Sequence, residues 1–177
     1  MSQAQSGLSE LSRAVVLNDT QLVRELTRKG HTVTWEPFPF EDTALHTAAE
    51  QGNAEMIPIL LDAGGEAFID SLCGNGWTPL GMAARGGHLE AAQTLLSRGA
   101  SVDARDEAGL VNPPLSDAVK RGYEPIVHIL LAAGANPNIS GWMNLTPLDY
   151  AERRYAKTPD DMSRRILDAV SKAASKS

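Results

Sequence analysis

The feature that most constrains the fold of this chain is a short segment that recurs at a nearly constant spacing. Each copy contains one leucine just after the start of a predicted helix. The first two intervals between successive leucines are equal, and the third is shorter by only two positions. A fixed period in the range of about 20–50 residues is typical of repeat arrays, whose units stack on one another. The four leucines are Leu45, Leu80, Leu115 and Leu148.

A glycine near the end of each predicted repeat recurs with the same period as the leucines. Gly64, Gly99 and Gly134 follow the first three of these leucines, each at the same distance along the chain. An earlier, degenerate copy has this same distance from Leu11 to Gly30. Because both markers keep their register, the pattern predicts a first repeat upstream of Leu45.

Each repeat has the sequence of a pair of short helices. In the third repeat Thr78 can cap a helix N-terminus, and Pro79 occupies the first helical position, where its missing N–H costs nothing. This helix is predicted to end near Gly87, because glycine suits the left-handed turn that closes a helix. A second helix is predicted from His88 to Arg98. One pair is too small to bury its apolar face alone, so the pattern predicts an all-α solenoid of stacked pairs.

These residues resemble the ankyrin repeat family. The resemblance covers about residues 8–170 and implies helix-turn-helix units joined by hairpin-like connectors, called fingers. It predicts a repeat domain over 8–170, with disordered ends at 1–7 and 171–177. The predicted repeats are about 8–40, 41–73, 74–108, 109–141 and 142–170. The family's pattern is carried in the third repeat by Gly76-Trp77-Thr78-Pro79-Leu80 through Ala84, Gly87-His88, Leu95-Leu96 and Gly99-Ala100.

The chain departs from the family pattern at one position in most repeats. Only Leu45 is followed by the family's histidine, His46, which the resemblance implies ties adjacent turns together. Gly81, Ser116 and Asp149 stand at this position in the later repeats. We therefore expect those junctions to be less stable than the one at His46.

The fingers are long and hold the large aromatic side chains. Three of the four are longer, by one or two positions, than the finger between Gly134 and Leu148. All three tryptophans and all three phenylalanines lie in fingers, and this composition is typical of binding hot spots. The alternative is that rings such as Phe38, Phe40 or Phe68 fold back over helix ends. The finger candidates for partner binding are Trp35, Phe38, Phe40, Phe68, Leu72, Trp77, Leu110, Trp142 and Met143.

Basic residues are predicted to line a concave groove. The resemblance implies that the first helix of each repeat faces this groove, with exposed positions five and six places after the leucine. In the last three repeats these positions carry bases, which predicts docking of an acidic or mixed apolar–acidic protein surface. The alternative is that exposed helix positions are commonly charged and that bases are favoured near helix C-termini. The basic candidates are Arg85, Lys120, Arg121 and Arg153.

Composition and charge exclude several classes of function. The chain has 22 acidic and 16 basic residues, and its net charge of −6 disfavours nucleic acid and membrane surfaces as partners. The single cysteine, Cys73, excludes an internal disulfide and a multi-cysteine zinc site. No apolar run approaches the ~18 residues of a membrane span, and residues 1–6 lack a signal-peptide pattern. We expect a soluble, cytoplasmic monomer, although exposed aromatic fingers leave a dimer open.

No catalytic or cofactor motif accompanies the repeats. The four histidines lack metal-ligand spacing, and the sequence has neither a phosphate-binding loop nor a nucleophile elbow. We therefore predict no cofactor, a structural or incidental role for Cys73, and an edge or core position for His128. The leading hypothesis is a non-enzymatic module that binds a partner protein through its groove and fingers. The alternatives are a dedicated inhibitor or immunity protein that covers the active site of a toxin or enzyme, an adaptor, a chaperone, and a small hydrolase.

Overall fold

The computed structural model describes residues 8–36, 42–105 and 111–176. Within these ranges the chain forms ten α-helices and one two-stranded antiparallel hairpin, in which Trp35 pairs with Thr43. The helices are α1 (Glu10–Val16), α2 (Thr20–Arg28), α3 (Ala44–Glu50), α4 (Met56–Asp62), α5 (Pro79–Gly86), α6 (Leu89–Ser97), α7 (Pro114–Arg121), α8 (Glu124–Ala132), α9 (Pro147–Lys157) and α10 (Asp161–Ala174). The strands are β1 (Trp35–Glu36) and β2 (Asp42–Thr43), and 3-10 turns occupy Gly65–Phe68 and Trp142–Asn144.

The helices stack in two layers. The first helices of the pairs contact one another in the order α1, α3, α5, α7 and α9, and the second helices do so in the order α2, α4, α6, α8 and α10. Each first helix also packs against the second helix of its own pair. This arrangement confirms the predicted all-α solenoid, in which contacts are made between neighbouring units.

The core is built from the buried apolar side chains of both helix layers. Leu45, Leu80 and Leu115 are all fully buried or nearly so, and the alanine pair Ala83-Ala84 lies between adjacent first helices with no exposed surface. Small alanine side chains allow these helices to approach closely. Leu148 is only half-buried, because it belongs to the last first helix, α9, which has a neighbour in this layer on one side only.

Local signals in the sequence determine where the helices start and end. The side chain of Thr78 accepts a hydrogen bond from the main-chain N–H of Gly81 at 3.0 Å, which caps α5. Gly87 closes α5 with φ of +82°, and a Cβ there would meet the ring of Tyr123. Gly122 closes α7 with φ of +80°, and a Cβ there would meet the guanidinium of Arg154. Both turns therefore require glycine for its backbone conformation, and the turn at Gly87 also requires its small size.

Two predicted features differ in the structure. α10 continues to Ala174, past residue 170 where the predicted repeat domain ended and into the predicted disordered tail, because its last turns lie beside α8. His128 is exposed, whereas the sequence placed it at an edge or in the core. Ile126, Val127 and Leu130 take the buried face of α8, and helical geometry turns His128 away from them.

Candidate functional site

A cleft of about 740 Å³ lies between the fingers and the first helices α5 and α7. We call it the tryptophan cleft. Bases, aromatic rings and one buried acid all line it, so both charged and apolar ligand groups would find partners there. The lining residues are Asn75, Trp77, Arg85, Val111, Asn112, Asp117, Lys120, Arg121 and Trp142.

A second cleft of about 420 Å³ continues the first along the first-helix layer. The two clefts share Asn75, Trp77, Arg85 and Arg121, and the second one adds the acids Asp42 from β2 and Glu50 from α3. Together they form one elongated depression that spans three consecutive first helices. A depression of this shape suits an extended segment better than a compact small molecule.

Two bases stack on the aromatic rings of the tryptophan cleft. The Cζ atom of Arg85 lies 4.1 Å from the ring centroid of Trp77. The Nζ atom of Lys120 lies 5.6 Å from the Trp142 ring centroid and 5.5 Å from that of Tyr150. These cation–π contacts restrict both the bases and the rings before any ligand arrives. Trp142 nonetheless keeps 49% of its surface exposed.

A buried amide, Asn112, joins the last finger to the helices beneath it. Its Nδ2 donates to Oδ1 of Asp117 at 2.9 Å. Its Oδ1 accepts from the main-chain N–H of Trp142 at 3.2 Å and from the hydroxyl of Tyr150 at 3.1 Å. The position of Trp142 in the cleft therefore depends on Asn112.

Asp117 is an acid held among bases and is only 5% exposed. Burial raises the pKa of Asp117 above its ordinary value, while the hydrogen bond from Asn112 and the charges of Arg85, Arg121 and Lys120 lower it. Those bases favour the ionised carboxylate. Asp117 thus adds a buried negative group to a cleft whose other charged groups are positive.

Two polar atoms at the tryptophan cleft lack hydrogen-bond partners among the described residues. Five buried side-chain polar atoms have no partner there, and two of them are Oδ2 of Asp117 and Nε1 of Trp77. Buried polar groups are nearly always satisfied, and an unsatisfied one costs about 1–3 kcal/mol.

The bases of the cleft differ from those on the second helices. Arg24 pairs with Glu55 at 2.7 Å, and Arg165 pairs with Glu124 at 2.6 Å, so these bases link neighbouring repeats. Among the residues that the structure describes, no such ion pair is formed by Arg85, Lys120 or Arg121. The cleft bases are therefore not held by ion pairs between repeats, although Lys120 contacts the rings of Trp142 and Tyr150 in the next repeat.

The last finger presents its side chains from an unfavourable backbone conformation. Met143 and Asn144 have φ of 60° and 55°, in the left-handed region that non-glycine residues rarely adopt. Met143 is 65% exposed, beside Trp142. Strained backbone of this kind is concentrated at functional sites, which supports a place for this finger in the candidate site.

The structure brings five of the predicted residues together and separates the others. Met143 is exposed beside the cleft, and Arg153 is exposed on α9 but does not line the cleft. Phe68 is half-buried against the core, which is the alternative that the sequence left open. The five residues in the tryptophan cleft are Trp77, Arg85, Lys120, Arg121 and Trp142.

The remaining candidates lie away from the cleft or outside the described residues. Trp35 is exposed in β1, with its ring at 6.3 Å and edge-on to that of His46. Leu72 is half-buried in the second finger. Phe38, Phe40 and Leu110 fall in the parts of the chain that are not described.

Asn112 and Asp117 were not among the predicted site residues. Asn112 occupies the position before Pro113-Pro114 that Trp77 occupies before Thr78-Pro79, so alignment of the repeats could have drawn attention to it. Asp117 follows the key leucine Leu115 by two positions, where Met82 stands in the third repeat. An acidic residue at that position of the repeat was the sequence signal that could have identified Asp117.

Replacing Asn112 by alanine is expected to lower the free energy of unfolding by about 1–3 kcal/mol, because it leaves Oδ1 of Asp117 and the main-chain N–H of Trp142 without their partner. Urea unfolding followed by circular dichroism measures this loss. Asn75→Ala, at an exposed position of the same cleft, is the matched control and should stay within about 0.5 kcal/mol of the parent. Equal losses for both variants would contradict the assigned role of Asn112.

The described part of the chain has neither a metal-binding cluster nor a helix that could cross a membrane. Over residues 8–36, 42–105 and 111–176, no group of three or more His, Cys, Asp or Glu side chains is arranged to hold a metal ion. The thiol of Cys73 is free and buried. No helix among the described residues combines the length and apolarity needed to cross a membrane.

The chain is similar to known repeat proteins over most of its length. The family model for ankyrin repeats in three copies matches residues 11–106, and the model for a single ankyrin repeat matches residues 112–142. Similar sequences include the ankyrin repeat and KH domain-containing protein mask of Drosophila melanogaster, which is 38% identical over 107 residues. The B-cell lymphoma 3 protein homolog of Mus musculus is 34% identical over 135 residues, and a putative ankyrin repeat-containing protein of Treponema pallidum (strain Nichols) is 34% identical over 116.

These similarities cover more of this chain than of its relatives. The matched segments are 60%, 76% and 65% of this chain for the fly, mouse and bacterial proteins, respectively. They are 3%, 27% and 37% of those proteins' own lengths. The chain therefore spans well under two thirds of each relative.

Proposed function

The chain belongs to the ankyrin repeat family, and on that premise we propose that it binds a partner protein through the tryptophan cleft and the neighbouring fingers. Ankyrin repeats are generally protein–protein interaction modules, and the matched families include no enzyme family. The proposed partner surface is acidic or mixed apolar and acidic. We further propose that the free chain is a monomer that acts in the cytoplasm.

One observation carries this proposal. The cleft holds Arg85, Lys120 and Arg121 without ion pairs among the described residues, whereas Arg24 and Arg165 on the second helices are paired with acids of neighbouring repeats. In a chain with a net charge of −6, this local excess of bases supports complementarity to an acidic surface. The indole rings beside these bases supply the aromatic anchors that hot spots usually contain.

Affinity capture from the source cell tests the proposal, with bound proteins identified by mass spectrometry. The parent chain is expected to retain a specific partner that the double variant Trp77→Ala/Trp142→Ala loses, because both indoles are removed from the cleft. The matched control is Leu17→Ala/Met162→Ala, which truncates two exposed apolar residues elsewhere. It should retain the partner. A partner that survives the cleft variant and is lost from the control would contradict the proposal.

A second candidate function is a dedicated inhibitor or immunity protein. The side chains of the cleft are ordered before a partner binds, because Asn112 and the stacked bases hold them in place. This order reduces the entropy lost on binding and supports the second candidate. If the captured partner is an enzyme, titration with the purified chain should abolish its activity at one equivalent. Undiminished activity in the saturated complex would favour an adaptor instead.

A further inference from the structure

We propose that the second cleft binds a basic side chain of the partner, directly beside the acidic groups that the bases of the tryptophan cleft attract. The segment that fits the whole depression therefore carries opposite charges in a fixed order, with a base against α3 and acids against α5 and α7. This inference rests on the proposed function and narrows it, because a segment that is acidic along its whole length would not fit.

The charges along the first-helix layer change sign between α3 and α5. Glu50, the last residue of α3, is exposed and lines the second cleft, as does Asp42 in the strand that precedes this helix. Arg85 occupies the position of Glu50 in the next repeat, five residues after the key leucine, and Lys120 does so in the repeat after that. Because the helices follow one another in the order α3, α5 and α7, the depression has a negative end and a positive end.

The acid and the base that meet at the second cleft do not pair with each other. First helices pack about 8–10 Å apart, so the long side chains of Glu50 and Arg85 could reach one another. Instead, the guanidinium of Arg85 lies over the indole of Trp77, with its Cζ atom 4.1 Å from the ring centroid. Within the described ranges neither Glu50 nor Arg85 forms an ion pair. One cleft thus offers two opposite charges to a ligand.

The next repeat holds the main chain at Glu50 in position. Nε2–H of His88 donates to the main-chain carbonyl of Glu50 at 2.8 Å, which ties the end of α3 to the start of α6. Gly86 lines the same cleft, and a Cβ there would meet the His88 ring. The space beside Arg85 is therefore not filled by a side chain from the neighbouring position, and a ligand group can enter it.

A lysine or arginine side chain of the partner suits the negative end. The carboxylate of Glu50 only accepts hydrogen bonds, so it favours a charged donor and repels a second acid. Arg85 and Arg121 also line the second cleft, and they would repel an isolated base. Acids next to the incoming base offset this repulsion, which is why the inference is a segment of both charges.

The distance between helices sets the distance between charges in the segment. Side chains on one face of an extended chain recur at every second residue, about 7 Å apart. Long charged side chains can adjust this spacing to the step of about 8–10 Å between first helices. The matching segment therefore has a base, an acid and a second acid at alternate positions.

Three synthetic peptides test the order of the charges. Each is a capped nonapeptide with leucine at its eighth position, for contact with Trp142, and with charged residues at its second, fourth and sixth positions. These are Lys-Glu-Glu in the first peptide, Glu-Lys-Glu in the second and Glu-Glu-Glu in the third, with glycine and serine elsewhere. Each peptide is made in both chain directions. Amide and indole resonances of the full chain, followed by NMR, give the dissociation constants.

We expect the Lys-Glu-Glu peptide to bind about three- to tenfold more tightly than the other two peptides in at least one chain direction. It replaces a repulsion from Glu50 by an attraction, whereas Glu-Lys-Glu places its base against bases. The preference should fall as salt is raised. Tightest binding by Glu-Glu-Glu, equal binding by the two lysine peptides, or no binding by any peptide would overturn the proposal.

The variant Glu50→Lys separates the contact with Glu50 from a general effect of charge. Lysine suits the last turn of a helix, and the hydrogen bond from His88 goes to the main chain and is kept. We expect this variant to bind Glu-Glu-Glu more tightly than Lys-Glu-Glu, which reverses the order found for the parent chain. An unreversed order in Glu50→Lys would overturn the contact with Glu50.

Matched variants control for folding and for net charge. Glu90→Lys makes the same charge change at an exposed position of α6 that lines neither cleft, and it should keep the order of the parent chain. If Glu50→Lys fails to fold, Glu50→Gln removes the charge without reversing it. The affinities for Lys-Glu-Glu and Glu-Glu-Glu should then differ by less than about twofold. A full preference for Lys-Glu-Glu in Glu50→Gln would overturn the proposal.

Failure of this inference is distinguishable from failure of the proposed function. The peptides test the order of charges that the depression accepts, whereas partner capture tests whether a protein binds there. A captured partner that depends on Trp77 and Trp142, together with tightest binding by Glu-Glu-Glu, would retain the interaction module and reject the segment of both charges. Capture of no partner that depends on these tryptophans would reject the proposed function itself.

Discussion

Replacement of Leu80 by alanine is expected to lower the free energy of unfolding by about 2–5 kcal/mol. Leu80 has 0% of its surface exposed and lies on α5, which packs against α3 on one side and α7 on the other. Truncation therefore opens a cavity between two pairs of neighbouring helices, and the stacked helices can close it only in part. Urea unfolding followed by circular dichroism measures the loss.

Two further leucines provide the comparison. Leu17→Ala removes an exposed side chain of the same size and should cost within about 0.5 kcal/mol. Leu148→Ala should cost less than Leu80→Ala, because Leu148 is only half-buried. A loss below about 2 kcal/mol for Leu80→Ala, with an unchanged urea dependence, would contradict the assignment of Leu80 to the core.

Acidification from pH 7 to pH 4 is expected to remove about 3 kcal/mol of stability through His46 alone. Burial lowers the pKa of His46 from 6.5 to about 4, partly opposed by backbone hydrogen bonds that raise it. Because the folded-state pKa lies below the unfolded-state value, the neutral ring contributes fully above about pH 6.5. This contribution is lost as the pH falls from there through about 4.

One hydrogen bond of His46 requires its neutral form. Nδ1 accepts from the main-chain N–H of Thr43 at 3.2 Å, and Nε2–H donates to the carbonyl of Ser71 at 2.9 Å. Protonation of Nδ1 would place its N–H group opposite the main-chain N–H of Thr43, so that two hydrogen-bond donors would face each other in a buried position. The ring also bridges the start of α3 and the second finger, so its protonation should loosen that junction.

Comparison with a variant isolates this contribution from the carboxylates that titrate over the same range. The difference in unfolding free energy between the parent chain and His46→Gln is measured from pH 7 to pH 4, and it should shrink by about 3 kcal/mol. Leu17→Ala, at an exposed position without a titratable group, should show a nearly constant difference. A constant difference for His46→Gln as well would show that His46 is not neutral by burial.

Most of the fold could be predicted because its signals are local. The cap at Thr78, the proline at Pro79 and the left-handed turn at Gly87 each act within a few positions of their own place in the chain. The apolar spacing then specifies which face of each helix is buried. The same locality explains the error at the C-terminus, where the polar composition of 171–177 suggested disorder but α10 gains a neighbour in α8.

The candidate site could be predicted only in part. Position in the repeat identified Trp77, Arg85, Lys120, Arg121 and Trp142, and the structure places all five in one cleft. The same reasoning did not distinguish Phe68 from the rings that line the cleft, although the Phe68 ring packs against the core. Composition shows which side chains are in the fingers, but the direction of each ring depends on what lies beneath it.

The sequence by itself determined the period, the helix pairs and the set of bases and rings available for binding, because these follow from the order of residues and from short-range backbone preferences. Only the tertiary structure decided which groups are partnered. Asn112 reaches Trp142 across 30 residues, and Arg165 reaches Glu124 across 41. Such contacts exist only once neighbouring repeats stack, and stacking leaves Oδ2 of Asp117 and Nε1 of Trp77 without partners among the described residues.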